Sequence, residues 1–92
     1  MQRGLTMDNP LLTKDISRLS SLFPELTEKQ FTCLFMYCMG KGSKEIGEQM
    51  KIRDTTVRNY LQDLKEIFSL DRASDLRAIF LVRMLAPVEY HT

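Results

Sequence analysis

The residues best suited to chemistry lie at helical spacing in the stretch IRDTTVRNYLQDLK, residues 52–65. Arg58, Asn59 and Gln62 carry side chains that form paired hydrogen bonds with base edges, arginine with guanine and the carboxamides with adenine. Side chains suited to phosphate oxygens accompany them: Thr55, Thr56 and Lys65. The chemistry they would perform is noncovalent recognition of duplex DNA.

A solvated helix face is the alternative interpretation of these polar residues. Such a face is typically built from Glu and Lys pairs one turn apart, whereas this one carries Asn and Gln. Composition of the face alone leaves both interpretations open.

Two helices joined by a short turn are predicted to position these side chains. Val57, Leu61, Leu64 and Phe68 recur at steps of four, three and four and predict a helix over about 55–69 with one buried seam. A shorter helix, KEIGEQM, precedes it, with Ser43 as its cap and Ile46 and Met50 on its buried side. About three residues separate the two helices, which is the arrangement of a helix-turn-helix.

Three further helices are predicted around this pair. Thr27 and Gln30 have the spacing of a capping box and predict a helix over 28–39, which Gly40 and Gly42 end. Asn9 and Pro10 start an N-terminal helix over about 10–23, with an apolar stripe made by Leu12, Ile16, Leu19 and Phe23. A last helix follows the possible caps Asp71 and Ser74, and its centre, AIFLV, is apolar on every side.

The predicted fold class is therefore all-α, with four or five helices.

Length and composition exclude several classes of protein. Ninety-two residues suffice for one small domain but not for two domains with a catalytic cleft. The only histidine, His91, lies in the tail, and the sequence has no nucleophile with a suitable base, no zinc spacing and no phosphate loop, so we expect no enzyme activity, metal or cofactor. No apolar run could span a membrane, no secretory signal is visible, and Cys33 and Cys38 are poorly placed for a disulfide, so the expected location is the cytoplasm.

The order of residues resembles a known family over about residues 26–84. LTEKQFTCLFMYCMGKGSKEIGEQMKIRDTTVRNYLQDLKEIFSL is similar, without a gap, to the C-terminal DNA-binding domain of LuxR/FixJ-type regulators, the fold also seen in GerE. The residues that carry the resemblance are Leu26, Thr27, Gly40, Lys44, Glu45, Ile46, Ile52, Thr56, Val57, Arg58, Asn59, Leu64 and Leu76.

This resemblance implies an all-α, four-helix helix-turn-helix domain over 26–86, preceded by an N-terminal extension at 1–25 with one additional helix and followed by a tail at 87–92. It also implies roles for particular residues. The helix at about 55–69 would be the recognition helix of the major groove, with Arg58, Asn59 and Gln62 near bases. The resemblance implies Lys44 and Thr56 at the DNA backbone, and side-chain chemistry adds Thr55 and Lys65. The last helix, 72–85, would form a homodimer interface, and the residues predicted there are Leu76, Ile79, Phe80 and Arg83. Such a dimer would bind an inverted-repeat operator in double-stranded DNA.

Four positions depart from the family pattern. Gly47 replaces a usual alanine, Lys51 stands where the turn often has glycine, and Ile67 replaces a lysine late in the recognition helix. Arg53 replaces the usual serine cap, a role that Asp54 could take one residue later. Together these departures weaken the expected binding to phosphates. The charge count agrees, because residues 41–65 hold six basic and four acidic side chains, a net charge of only +2.

Two functions are consistent with these features. The first is a sequence-specific transcription regulator that binds DNA as a dimer. The second is a protein-interaction module of the same fold, an anti-activator or co-regulator that pairs with another helix-turn-helix regulator through its last helix. The N-terminal helix is open to three interpretations: the remnant of a linker, a packing helix, or a docking segment for another regulator.

Overall fold

The computed structural model describes residues 18–85 of the chain. Over this range the chain forms α1 (Glu28–Cys38), α2 (Ser43–Met50), α3 (Asp54–Ile67) and α4 (Asp75–Leu85), and no strand. Residues 18–20 are also helical and lead into a turn at 21–22. The predicted all-α fold is confirmed. The predicted helix at 10–23 falls largely outside the described residues, as do Leu12, Ile16 and the tail.

The start of α1 is the predicted capping box. The backbone N–H of Gln30 donates to the Thr27 hydroxyl at 3.1 Å, and the backbone N–H of Thr27 donates to the Gln30 carboxamide at 2.9 Å. Two backbone donors that the first turn would leave unpaired are thereby satisfied. The box fixes the first residue of the helix that supplies more buried core residues than any other described element.

The core lies between α1 and the other three helices, all of which pack against it. Its most deeply buried apolar members come from every described helix and from the segment before α1: Phe23, Phe31, Cys33, Leu34, Met36, Ile46, Val57, Leu64 and Leu76. Five phenylalanines form the end of this core near α4, where Phe23, Phe31, Phe35 and Phe80 are buried and Phe68 is half-buried.

Two helix starts differ from their predicted positions. Gly42 occupies the N-cap position of α2, and no side chain caps this end of the helix. Ser43 is therefore the first helical residue rather than the cap. α4 begins at Asp75 rather than 72, because residues 72–74 form a turn whose carbonyls accept from the N–H groups three residues on. A turn of this kind keeps helical spacing and so extends an apolar pattern beyond the helix itself.

Phe23 is part of the core although it precedes the predicted domain. Its side chain is 1% exposed, and its ring lies 5.5 Å from that of Phe31 and 5.8 Å from that of Phe80. Leu19 packs against the same cluster. The described end of the N-terminal segment is therefore packed on this domain.

Arg83 of α4 links that segment to two helices. Its guanidinium donates two hydrogen bonds of 2.8 Å to the Glu25 carboxylate and one of 2.9 Å to the Leu22 carbonyl. The same group lies over the rings of Phe23 and Phe68, at 4.9 and 5.4 Å from their centroids. A planar guanidinium can donate to a carboxylate in its plane and pack on aromatic rings with its faces.

We expect the Glu25–Arg83 pair to make stability depend on pH in the acid range. The hydrogen bonds from Arg83 hold the pKa of Glu25 below its ordinary value. Because the folded pKa is the lower one, the stabilisation is complete above the unfolded pKa and is lost as the pH falls through the folded pKa. Urea unfolding of wild type and Glu25→Gln at several acidic pH values measures the effect. The free energy of unfolding of the variant should depend less steeply on pH than that of wild type.

The matched control is Glu28→Gln, which removes an exposed carboxyl from the first turn of α1. Equal loss of pH dependence in the two variants would contradict a specific role for the Glu25 pair.

The two cysteines are free thiols, as predicted. Cys33 is fully buried, whereas Cys38 is half-buried. Burial raises the pKa of Cys33 to about 12 and that of Cys38 to about 11, so both stay protonated at neutral pH. Cys33 is part of the core, and Cys38 packs against it.

Candidate DNA-binding surface

The turn between α2 and α3 is held by a close backbone contact. Lys51 is left-handed, with φ 62° and ψ 44°, and the N–H of Ile52 donates to the Gly47 carbonyl at 2.9 Å. A Cβ on Gly47 would lie 2.7 Å from the Ile52 carbonyl oxygen, closer than real Cβ contacts. Gly47 therefore allows the turn to lie directly on α2. The left-handed Lys51 costs about 1 kcal/mol relative to glycine.

The inner face of α3 fixes how this helix is presented. Val57 and Leu64 are fully buried and Leu61 is 8% exposed, as the predicted seam requires. Ile46 of α2 is buried in the same cluster. Because one face of α3 is committed to the core, the opposite face must point outward.

The predicted base-reading residues all lie on that outward face. Arg58, Asn59 and Gln62 are exposed, and so is Thr55 one turn earlier. Of the other residues predicted at the DNA backbone, Lys44 of α2 is exposed, whereas Thr56 and Lys65 are half-buried beside the seam. All seven residues thus lie on the helix-turn-helix, and the three predicted base-reading residues lie on the exposed face of α3.

The N-terminus of α3 has no side-chain cap. Arg53 occupies the N-cap position without a capping hydrogen bond, and Asp54 is the first helical residue. The expectation that Asp54 caps the helix is therefore wrong, because its backbone has already entered the helix and its carboxylate points along it. Asp54 contributes instead as an acidic residue in the first turn, where it complements the helix dipole.

Acidic side chains contact two of the predicted base-reading residues. A carboxylate oxygen of Asp54 lies 3.6 Å from a guanidinium nitrogen of Arg58. The Gln62 amide nitrogen donates to the Glu66 carboxylate at 3.2 Å. Both contacts join residues four apart on α3, and residues at this spacing are neighbours on a helix surface, so the sequence carries a signal for them.

The residues predicted at a dimer interface lie mostly inside the domain. Leu76 is fully buried, Phe80 is 7% exposed, and Ile79 packs on the core. Arg83 is engaged with Glu25 and Leu22. Neither Leu76 nor Phe80 has a surface to offer a partner, because these residues form the inner face of α4.

A different set of apolar residues lies on the outer face of α4. Leu81, Val82 and Leu85 are 57%, 61% and 73% exposed, and Ala78 is exposed on the same side. Their spacing of three, four and seven residues places them in one stripe along the helix. We call Ala78, Leu81, Val82 and Leu85 the α4 stripe.

Residues 18–85 contain neither a membrane-spanning helix nor a cluster of metal ligands. No helix in this range is long and apolar enough to cross a membrane. Nor does this part of the chain bring together three or more histidine, cysteine or acidic side chains in a way that could hold a metal ion.

The packed pair α2 and α3, with a polar outer face on α3, defines a helix-turn-helix DNA-binding domain. Comparison of the sequence with protein families agrees with the geometry. Residues 24–75, more than half of the chain, match the GerE family, described as bacterial regulatory proteins of the luxR family. The chain belongs to this family, whose domains are DNA-binding transcription regulators rather than enzymes. No match was found among curated proteins or among solved structures.

Proposed function

We propose that this protein regulates transcription in the bacterial cytoplasm as a homodimer that reads an inverted-repeat operator, with α3 in the major groove. The observation that carries the proposal is the division of α3 into a buried apolar face and an exposed face bearing Arg58, Asn59 and Gln62. A major groove admits one α-helix, and these side chains match its hydrogen-bonding groups.

Four residues would position the DNA backbone on either side of that face: Lys44, Thr55, Thr56 and Lys65. The first turn of α3 supports this assignment, because its free N–H groups and the helix dipole favour a phosphate beside Thr55 and Thr56. Phosphate contacts set orientation, whereas base contacts set sequence preference.

The α4 stripe supports a two-fold dimer. Four apolar side chains in one exposed line are costly to leave in water and are typical of an isologous helix pair. Two such domains related by a two-fold axis would read half-sites about one helical turn apart, roughly 34 Å. The dimer would also compensate for the small local charge, since two weak half-site contacts act together.

The first experiment is selection of bound sequences from a randomised duplex pool near physiological salt, with wild type and Arg58→Ala in parallel. Wild type should enrich an inverted repeat that the variant does not enrich. On the selected operator, Arg58→Ala and Gln62→Ala should each cost about 1–3 kcal/mol and relax preference at one base pair. Lys44→Ala should weaken binding to all duplexes alike and lower the salt slope by about 1.

Lys29→Ala is the matched control, because Lys29 is an exposed lysine of α1 outside the helix-turn-helix. It should leave operator affinity unchanged. Equal losses from Arg58→Ala, Gln62→Ala and Lys44→Ala on every duplex would refute the separation of base reading from backbone positioning.

The α4 stripe and the acids on α3 also favour a second candidate, an interaction module that pairs with another helix-turn-helix regulator. Asp54, Asp63 and Glu66 reduce the positive potential of the recognition face. A folded, dimeric protein that enriches no sequence in the selection would support this function over the first.

A further inference from the structure

Two predicted base-reading side chains have an acidic partner one helical turn away. Asp54 precedes Arg58 by four residues, and Glu66 follows Gln62 by four. The Arg58 contact is a loose ion pair of 3.6 Å between side chains that are 59% and 46% exposed. The contact of Gln62 with Glu66 is a hydrogen bond of 3.2 Å, and it restricts the carboxamide more strongly.

The bond to Glu66 selects one orientation of the Gln62 carboxamide. A carboxylate accepts hydrogen bonds but cannot donate them, so it can bind the amide NH₂ but not the amide oxygen. Rotation of the carboxamide by half a turn would bring its oxygen against the Glu66 carboxylate. One of the two near-equivalent orientations is therefore disfavoured by charge repulsion.

The remaining hydrogen-bonding groups of Gln62 still match adenine. The amide has two N–H donors and one oxygen, and Glu66 uses one donor. One N–H and the oxygen remain, which is the pair needed for adenine N7 and its 6-amino group. Glu66 can thus hold Gln62 in place without blocking base contact.

We infer that Glu66 is a positioning residue that sets the sequence preference of this protein by orienting Gln62. The inference rests on the proposed function, since it assigns Gln62 to base reading. It also gives a role to a negative charge that would otherwise only weaken DNA binding. Preorganising a side chain lowers the ordering cost of the correct contact, and the charge opposes binding to phosphates of any sequence.

The test compares Glu66→Ala with Glu66→Gln on the selected operator and on duplexes changed at single base pairs. The base pair that Gln62 reads is the one where Gln62→Ala loses preference. Glu66→Ala should reduce preference at that same pair by roughly three- to tenfold. Glu66→Gln should restore it, because a glutamine oxygen can still accept from Gln62 while the charge is gone.

Asp63→Ala is the control for charge alone, because Asp63 is an exposed acid on the same helix, whereas the Gln62 carboxamide donates to Glu66. It should raise affinity for every duplex and leave the preference unchanged. In the Gln62→Ala background, Glu66→Ala should no longer alter the preference. This last measurement separates action through Gln62 from a direct contact of Glu66 with the DNA.

Three results would overturn the inference. One is that Glu66→Ala and Asp63→Ala change affinity equally and leave preference intact, which would make Glu66 a simple repulsive charge. Another is that Glu66→Gln behaves like Glu66→Ala. The third is that wild type enriches no sequence, which would remove the proposed function as well and is visible before any variant is made.

Discussion

Phe23→Ala is expected to lower the free energy of unfolding by about 3–5 kcal/mol, the cost of removing a fully buried phenylalanine ring. The ring packs between Phe31 and Phe80, lies edge-on to Phe68 at 6.4 Å between centroids, and carries the Arg83 guanidinium on its face. Its loss would open a cavity where the N-terminal segment, α1, α3 and α4 meet. Urea or thermal unfolding followed by circular dichroism measures the change.

Phe23→Leu is the control for this prediction, since it keeps most of the volume and should cost less than half as much. The alanine substitution could largely unfold a marginally stable domain of this size. In that case a stabilising osmolyte refolds the protein, and the free energies of unfolding of the alanine and leucine variants are compared in its presence. A loss below about 1 kcal/mol for Phe23→Ala would mean that residues before 24 do not belong to the folded unit.

Leu81→Glu is expected to weaken the proposed homodimer by about 2–3 kcal/mol or more. A two-fold interface loses two leucines at once, each with 57% of its surface left to bury and so contributing about 0.9–1.7 kcal/mol, and it gains two carboxylates. Because Leu81 is 57% exposed in the single chain, the fold itself should tolerate the change. Sedimentation equilibrium measures the association, and operator affinity should fall with it.

Arg72→Glu is a suitable control, because Arg72 is an exposed residue of the turn before α4 and lies outside the stripe. It should leave the association constant unchanged within about twofold, apart from long-range charge effects that salt screens. A wild-type protein that stays monomeric at millimolar concentration, or a Leu81→Glu variant that dimerises normally, would remove the α4 stripe from the proposed interface.

The helices of this domain could be predicted from local patterns because their signals lie within a few residues. The capping box of Thr27 and Gln30 and the seam of Val57, Leu61 and Leu64 were both found at their predicted places. Each depends only on contacts within one or two turns of helix, and such contacts are visible in residue spacing.

Contacts between distant segments could not be predicted in the same way. Arg83 and Glu25 are 58 residues apart, and nothing in either neighbourhood indicates the other. The sequence does not distinguish the inner face of α4 from its outer face, for a related reason. Its centre is apolar all round, so the periodicity that would assign Leu76 and Phe80 to the core and Leu81 to the surface is missing from the sequence.

The candidate base-reading surface was predicted residue by residue, since family resemblance and the exposed face of α3 select the same side chains. The spacing of four residues places Asp54 beside Arg58 and Glu66 beside Gln62, but it does not specify the contact that each pair makes, a loose ion pair at 3.6 Å and a hydrogen bond at 3.2 Å.

The close approach at Gly47 also bears on how such a protein can evolve. The α2–α3 turn rests on a contact between main-chain atoms, with a Gly47 Cβ excluded by the Ile52 carbonyl, and no exposed side chain of α3 takes part in it. The outward residues of α3 can therefore be exchanged without altering the angle at which the helix is carried. Under the proposed function, single substitutions on this face would change the operator that is read, while the frame that carries α3 stays constant.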